Sequence, residues 1–593
     1  MYRAPIEDIA HTLKIAGLEE ALEKKRFGDL SADLVDAILE EAAKFASERI
    51  APLQEIGDRH GATLKDGIVT TAPGWKELYR DWAAGGWNAL TGDEAYGGQA
   101  LPMMLSVAVS EMWNAGSIAF ALAPMLTMGA VEALEKHASD ELKAIYLPKL
   151  VSGEWTGTMN LTEPQAGSDL GALRARAERH GDGTYRIFGQ KIFITYGEHD
   201  MTDNIVHLVL ARLPDAPAGT KGISLFLVPK FLVNEDGSLG RRNDVFCSGI
   251  EHKLGIHASP TCTMIYGDSI SGDGATGWLV GEENRGLACM FTMMNNARLL
   301  VGMQGVAVAE AAYQKALAFA RERRQGRAPS ANNGTKPGDA MSPIIEHPDI
   351  QRTLLTMKGL TQAARCIGYA CAHALDMART GKGEDARHWA DRANLLTPVA
   401  KAFATDIGVD VASLGIQVHG GMGFIEETGA ARLLRDARIA PIYEGTNGIQ
   451  AIDLVQRKLP LGNSEHVKTY IAELRAIVDL AAVSNRAELG DSAACLAFAI
   501  ADLEEATLYL QQALAEGRQA EALCGATPYL RLFGLAAGGA YLAKGALTCE
   551  DAGHSALCRF YAENLLRETN ALKHCVIDGA DSLIAAGAAL QDS

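Results

Sequence analysis

The sequence predicts an α+β protein in four parts: a helical segment over residues 1–155, a small antiparallel β domain over 156–280, a helical bundle over 281–460, and a further helical segment over 461–593. Three observations carry this. At 593 residues the chain exceeds what a single hydrophobic core supports. Outside residues 156–280, apolar residues recur at the three-and-four spacing of a buried helix face. Within 156–280, short β-rich runs separated by Gly, Asp, Asn and Pro follow one another with no helical pattern between them. That texture belongs to an antiparallel sheet or barrel and not to a parallel dinucleotide-binding sheet. Neither GxGxxG in a strand-to-helix setting nor a GxxxxGK[ST] phosphate loop is present.

In chain order, Leu34 to Arg49 places apolar residues at 34, 35, 38, 39, 42 and 45, and Met103 to Trp113 and Ala130 to His137 continue in kind. Pro73-Gly74 and the run from Thr91 to Gly98 punctuate this helical segment. The β-rich runs are Tyr185 to Phe188, Ile192 to Thr195, Ile205 to Leu210, Ile223 to Val228 and Thr261 to Tyr266. Helices return with Cys289 to Arg324, where Met290, Met293, Met294, Leu300, Val301, Val306, Tyr313, Leu317 and Phe319 supply apolar faces, and long helices with short loops suggest a bundle. Ala328 to Ser342, rich in Gly, Pro and Asn, reads as a surface loop. After Pro460, Leu496, Ile500, Leu503, Leu510 and Leu514 recur at helical spacing, and Pro528 to Leu547 is apolar with small residues.

Composition narrows the function. A hydrophobic fraction of 48% with 22% charge is that of an ordinary globular chain. A formal charge of −18 disfavours a nucleic-acid partner, and residues 461–593 carry nine basic against seventeen acidic residues. The start, MYRAPIEDIA, lacks a cationic segment followed by an apolar core, and no apolar run reads as long enough to span a bilayer, so a cytoplasmic location is expected. Ten cysteines without CxxC pairs fit reduced core thiols. His199, His252, His257 and His419 have no second ligand at metal spacing, so no metal is expected.

Two stretches offer chemistry. In Arg432 to Gln450, Glu444 sits between Tyr443 and Gly445, just past Pro441. A carboxylate with a small neighbour and a fixed chain path suits a base in a tight apolar site, although a Glu-Gly-Thr turn is also what a solvated loop looks like. In Met159 to Asp169, a hydroxyl on a turn braced by Pro164 is followed by Gly167 and Ser168, whose backbone N–H groups and hydroxyl can meet a phosphate or carbonyl oxygen. A plain loop at a domain junction is the alternative.

Together the motifs resemble the acyl-CoA dehydrogenase family. MNLTEPQAGSDLG resembles its flavin loop, GQKIFIT the following strand, and KLGIHASPTC its mid-domain signature. ARERRQGR resembles the helix end that reaches the partner subunit's flavin, QVHGGMGF a pyrophosphate-contacting turn, and RDARIAPIYEGTNGIQ the catalytic-base segment. The resemblance implies an N-terminal α domain, a middle antiparallel β domain, a C-terminal four-helix bundle and an added C-terminal helical domain, with FAD as cofactor. It implies that Met159, Leu161, Thr162, Gly167, Ser168, Phe193, Ile194, Thr195, Thr446 and Asn447 surround the flavin. It implies too that Arg323, Gln325, Gln417, Gly420 and Gly421 contact its phosphates and adenosine half across a subunit interface. Ser168, Asn295, Arg298 and Gly445 are implied on the acyl-CoA side, and Glu444 is the implied base. That base would remove the α-proton of an acyl thioester while hydride leaves the β-carbon, giving a trans-2-enoyl-CoA.

Departures from the family pattern sharpen the reading. Phe193 stands where many members carry Trp and keeps an aromatic there, and Asn295 stands near a position often acidic. Some branches carry the base just before the arginine that Arg298 matches; here that residue is Ala297, which leaves Glu444. The implied partners are acyl-CoA, an electron-transferring flavoprotein and a second copy in a homodimer. Chain length and the acidic C-terminal addition most resemble the branch acting on 3-(methylthio)propanoyl-CoA, an intermediate of dimethylsulfoniopropionate breakdown. That compound and short- to medium-chain acyl-CoAs are therefore the implied substrates. The alternatives are an acyl-CoA oxidase and an alkylation-response flavoprotein that binds DNA.

Overall fold

A computed structural model of the chain describes residues 2–268, 272–329 and 341–591, so most of the loop read at Ala328 to Ser342 lies outside the described residues. The chain forms two compact units. One comprises residues 44–102 and 116–297, the other residues 1–43, 103–115 and 298–593.

In the first unit the strands, numbered along the chain, are β1 (Thr63–Lys65), β2 (Ile68–Thr70), β3 (Thr156–Asn160), β4 (Arg176–Arg179), β5 (Tyr185–Thr195), β6 (Ile205–Arg212), β7 (Ile223–Pro229), β8 (Phe231–Val233), β9 (Leu239–Arg242), β10 (Val245–Ile250), β11 (Thr261–Tyr266) and β12 (Ala275–Val280). An eight-stranded sheet runs β10-β11-β5-β12-β7-β6-β3, with β4 beside β5 and β6. Its ladders are antiparallel apart from β3 on β6 and the single Arg176–Arg212 pair of β4 with β6. The parallel edge departs from the all-antiparallel expectation because β3 and β6 are not joined by a hairpin: β4 and β5 intervene in the chain.

The runs read separately at Tyr185 to Phe188 and Ile192 to Thr195 are one strand, β5, which passes through Gly189 at φ 135°. Strands β6 and β7 are buried on both faces, which is why they read as continuous apolar runs and not as alternating ones. The helix Ile118–His137 lies against β3, where the Gly157 N–H donates to Thr127 Oγ1 at 3.1 Å. This helix corrects the expectation that no apolar run could span a bilayer: it is long and apolar enough, and its apolar window is 89% buried within the protein.

The N-terminal segment is not wholly helical. β1 and β2 form a hairpin with Thr63 opposite Thr70, turning on Asp66 and Gly67 at φ 51° and 76°. Two consecutive left-handed residues make the mirror-image turn whose twist matches a hairpin, and Asp-Gly is its usual sequence. In the helix Ala32–Phe45 the buried stripe is Val35, Leu39 and Ala42, while Leu34, assigned to the buried face by spacing, is exposed.

The second unit is helical. Pro348–Thr380 and Gly383–His419 form an antiparallel pair, and the helix Ala526–Thr548 of the C-terminal segment packs on both. At its core, fully buried Arg365 donates to Glu111 and Glu310 at 2.8 Å, and Tyr369 Oη donates to Glu111 Oε2 at 2.9 Å. Two carboxylates around one guanidinium with a hydroxyl on the remaining lone pair meet the condition for burying charge. The helix Gly286–Glu322 buries Met290, Met293, Leu300, Val301 and Val306. From Arg298 onward it crosses Gly383–His419 so closely that a Cβ on Gly305 would lie 2.2 Å from the Ala404 carbonyl oxygen. That approach places the middle of Gly383–His419 beside the turn carrying Glu444.

Candidate active site

In the helical unit, Glu444 and Gly445 are consecutive left-handed residues, at φ 55° and 81°. A glutamate in that conformation is strained, and its surroundings hold it there. The Asn447 N–H donates to the Pro441 carbonyl at 3.0 Å, closing the turn from behind. Gln450 Nε2 donates to the Glu444 carbonyl at 3.3 Å, and a Cβ on Gly445 would lie 2.7 Å from that nitrogen. Tyr443 Oη donates to Gln304 Oε1. Lys401 Nζ donates to the Gly445 carbonyl at 2.8 Å and to Asn447 Oδ1 at 2.9 Å.

With the backbone tied on every side, the Glu444 carboxylate itself makes no hydrogen bond or ion pair among the described residues. The residue retains some accessible surface, but the protein packed around its carboxylate raises its pKa above the ordinary carboxylate range, against the opposing charges of Arg298 and Lys401. Desolvation also lowers the pKa of half-buried Arg298, with Asp453 and Glu444 pulling it back up. A carboxylate held ready and unsatisfied beside two cations is suited to taking a proton.

Other residues expected in this unit fall into two groups. Thr446 caps the helix Asn447–Asp453, accepting from the Ile449 N–H at 3.2 Å, so its hydroxyl proton remains available to donate. Asn447 departs from its expected cofactor contact, because its side chain points inward to Lys401, Ala402, Thr405 and Asp406 and only its main chain remains. Stacking of Phe319 on His419, with ring centroids 4.5 Å apart, brings together the helix ends that carry Arg323 and Gln417. Arg323, Gln325, Gln417, Gly420 and Gly421 are all exposed, and a Cβ on Gly420 or Gly421 would meet nothing within 4 Å. Bare backbone beside a guanidinium and an amide is a donor set for phosphate oxygens.

In the sheet unit, Glu163, which lies in the expected flavin loop, is buried and fully engaged. It accepts from Lys191 Nζ at 2.8 Å and from the N–H groups of Arg174 and Ala175 at 2.7 and 2.9 Å. Burial alone would raise its pKa; Lys191 and the two N–H groups outweigh that and hold it below the ordinary range. The same Lys191 donates to the Leu161 carbonyl at 2.9 Å, and the Ile192 N–H donates to the Thr162 carbonyl at 2.9 Å, fixing the loop on β5.

Above that brace the hydroxyls of Thr162, Ser168 and Thr195 make no hydrogen bond among the described residues. Phe193, at φ 60°, turns its ring out of the sheet to 56% exposure. An exposed aromatic face beside unengaged hydroxyls, with open backbone at Gly167, fits a flat ring with polar edges. Met159 and Ile194 are buried in the sheet. Asn295 is exposed on the helix Gly286–Glu322.

Sequence reasoning missed Lys401, Gln304 and Gln450. Lys401 left a signal: one cation among Val399, Ala400, Ala402 and Phe403, on a helix stretch that is otherwise apolar. His199, pushed down to about 3 by burial, bonds Thr156 Oγ1 at 2.8 Å and is a neutral core residue. His11, Cys549 and His554 each bring a ligand atom within 4.8 Å of the others, a trio spacing could not reveal, and the two imidazoles lie tilted by 35° with centroids 4.1 Å apart.

The chain matches the acyl-CoA dehydrogenase N-terminal domain over residues 33–154, the middle domain over 158–269 and the C-terminal domain over 284–459. Residues 470–586 match the acetyl-CoA dehydrogenase C-terminal-like domain. It is 44% identical to a 3-methylmercaptopropionyl-CoA dehydrogenase of Ruegeria pomeroyi, covering 99% of each chain. It is 38% identical to a butyryl-CoA dehydrogenase of Syntrophomonas wolfei over 75% of this chain and 73% of that one. Among solved structures, Caenorhabditis elegans ACDH-11 in complex with C11-CoA superposes with a TM-score of 0.75 at 20% identity, covering 98% of this chain and 96% of that one. Fold, motifs and full-length similarity agree: this chain belongs to the acyl-CoA dehydrogenase family of enzymes, whose cofactor is FAD.

Proposed function

We propose that the enzyme dehydrogenates a short acyl-CoA thioester at the α and β carbons, with 3-(methylthio)propanoyl-CoA as its preferred substrate and Glu444 as the base. The single observation that carries the assignment of the base is the unsatisfied, proton-seeking carboxylate of Glu444 on a turn otherwise bonded throughout. Bound FAD supplies the acceptor for the hydride that leaves the β-carbon. Thr162, Ser168, Phe193 and Thr195 would hold its ring, while Arg323, Gln325, Gln417, Gly420 and Gly421 would meet the phosphates and adenosine half of a flavin across a subunit interface. Glu444 removes the α-proton. An α-proton of a thioester is far less acidic than a carboxylic acid, so raising the carboxylate's proton affinity narrows the mismatch. Strain in the turn fixes the direction from which the base approaches.

Full-length similarity to the Ruegeria enzyme supports the methylthio substrate, whose thioether chain is nearly isosteric with a short fatty acyl chain. One methylene discriminates by only about 1–3 kcal/mol in an apolar pocket, so butanoyl-CoA should also turn over. Family membership supports an electron-transferring flavoprotein as acceptor. Exposure of Met422, Phe424 and Ile425 beside the Gly420-Gly421 turn supports a homodimer covering that end. The unpaired state of all ten cysteines supports a reducing, cytoplasmic setting. The test is a kcat/KM series over 3-(methylthio)propanoyl-, butanoyl-, octanoyl- and palmitoyl-CoA with an artificial electron acceptor, with peroxide measured in parallel. A maximum at palmitoyl-CoA without turnover of the methylthio compound contradicts the substrate, and stoichiometric peroxide would make the enzyme an oxidase.

A further inference from the structure

Lys401 has no part in the reaction as proposed, yet it is fully buried in the middle of the helix Gly383–His419. An ammonium in a core is costly unless it is bonded, and lysines kept there usually face a carboxylate. Among the described residues no carboxylate oxygen lies within 4.0 Å of this one. Its amine instead bonds the Gly445 carbonyl at 2.8 Å and Asn447 Oδ1 at 2.9 Å, the two residues that flank Thr446 directly after the base.

Asn447 is itself locked. Its amide donates to the Ala402 carbonyl at 3.1 Å and to Asp406 Oδ1 at 2.7 Å, and its oxygen accepts from Thr405 at 3.2 Å. Gln450 holds the adjoining Glu444 carbonyl at 3.3 Å. Two successive carbonyls, those of Glu444 and Gly445, are thus anchored, and they set the left-handed geometry from which the carboxylate projects.

We propose that Lys401 is a positioning residue for the reaction: its amine clamps Gly445 and Asn447 and so fixes the turn that aims Glu444. The proposal rests on the reading of Glu444 as the base. Three charged groups face the amine: Glu444, Asp406 and Arg298. Burial pushes its pKa down to about 7, with Glu444 and Asp406 raising it and Arg298 lowering it. Its charge in turn opposes the rise that burial gives Glu444. Geometry and charge are separable in part, because Lys401→Met removes donor and charge together while Lys401→Gln removes the charge and keeps a donor on a shorter side chain.

The experiment follows flavin absorbance by anaerobic stopped flow in FAD-loaded enzyme mixed with butanoyl-CoA, from acid to alkaline pH. Acetyl-CoA, which has no β-carbon to oxidise, serves as the binding probe. Lys401→Met should lower the alkaline plateau rate by about 100-fold, the order of loss that follows a misplaced catalytic group, while acetyl-CoA affinity stays within about threefold. Lys401→Gln should recover most of the plateau, and in both variants the acid limb should move to higher pH. A wild-type plateau in Lys401→Met overturns the proposal, whether or not the limb moves. Where that variant fails to retain FAD, Lys401→Ala takes its place and is read the same way: a plateau lowered by about 100-fold at unchanged acetyl-CoA affinity supports the clamp, and a wild-type plateau overturns it. Glu444→Gln is run alongside. If it is inactive while Lys401→Met behaves as wild type, the clamp alone is overturned; if it is active, the base reading falls and the clamp with it.

Discussion

Each unit of this enzyme sets a glutamate near a buried lysine, and the two pairs are wired oppositely. In the sheet unit Lys191 bonds the Glu163 carboxylate directly, and two backbone N–H groups and the Gln165 amide donate to it as well. In the helical unit Lys401 bonds the main chain next to Glu444 and leaves the carboxylate unengaged. The same residue types therefore serve opposite ends: the first carboxylate is held ionised as a brace for the Met159 to Asp169 loop, the second sits on a strained turn, short of partners. Residue identity does not separate a structural acid from a reactive one. What separates them is whether the cation takes the carboxylate or the backbone.

The largest test of that contrast is Glu444→Gln, which should lower the rate of flavin reduction by at least about 10³-fold with FAD content and fold intact, since only a proton acceptor is removed. Glu163→Gln should do the reverse. It leaves Lys191 buried without its counter-charge at a cost of about 3–5 kcal/mol, read as a fall in denaturation midpoint and loss of FAD, with the rate per bound flavin little changed.

The pH dependence divides the pairs in the same way. The pKa of Glu444 is raised, so flavin reduction should fall as pH drops through a value above the ordinary carboxylate range. The pKa of Glu163 is depressed, so the stability it contributes is present above its unfolded value and is lost only as pH falls through its lower folded one. A single pH series recording both reduction rate and melting temperature should show activity lost before stability. The smallest effect is at the helix cap: Thr446→Val removes the acceptor for the Ile449 N–H and should cost about 1 kcal/mol, seen in chemical denaturation.

Much of this was legible in the chain. Strand β11 falls on the run Thr261 to Tyr266, and Glu444 was singled out by its aromatic and glycine neighbours. What stayed hidden depended on contacts between residues distant in sequence. The roles of Lys401 and Lys191 follow from which carbonyls and carboxylates the fold brings to them, and no spacing rule encodes that. The inward turn of Asn447 could not be read beside a motif that made it look ligand-facing. The β1–β2 hairpin was written locally, as Asp66-Gly67 between short β-branched runs, and was passed over in a segment dominated by helical periodicity.

The proposal is that Glu444 is the reactive acid and Glu163 the structural one. It is tested most directly by adding 3-(methylthio)propanoyl-CoA anaerobically to FAD-loaded wild-type, Glu444→Gln and Glu163→Gln enzymes and following loss of flavin absorbance. Rapid bleaching is expected in the wild type, bleaching at a similar rate per bound flavin in Glu163→Gln, and bound thioester without bleaching in Glu444→Gln. Bleaching at the wild-type rate in Glu444→Gln, or its abolition in a flavin-loaded Glu163→Gln, would contradict it.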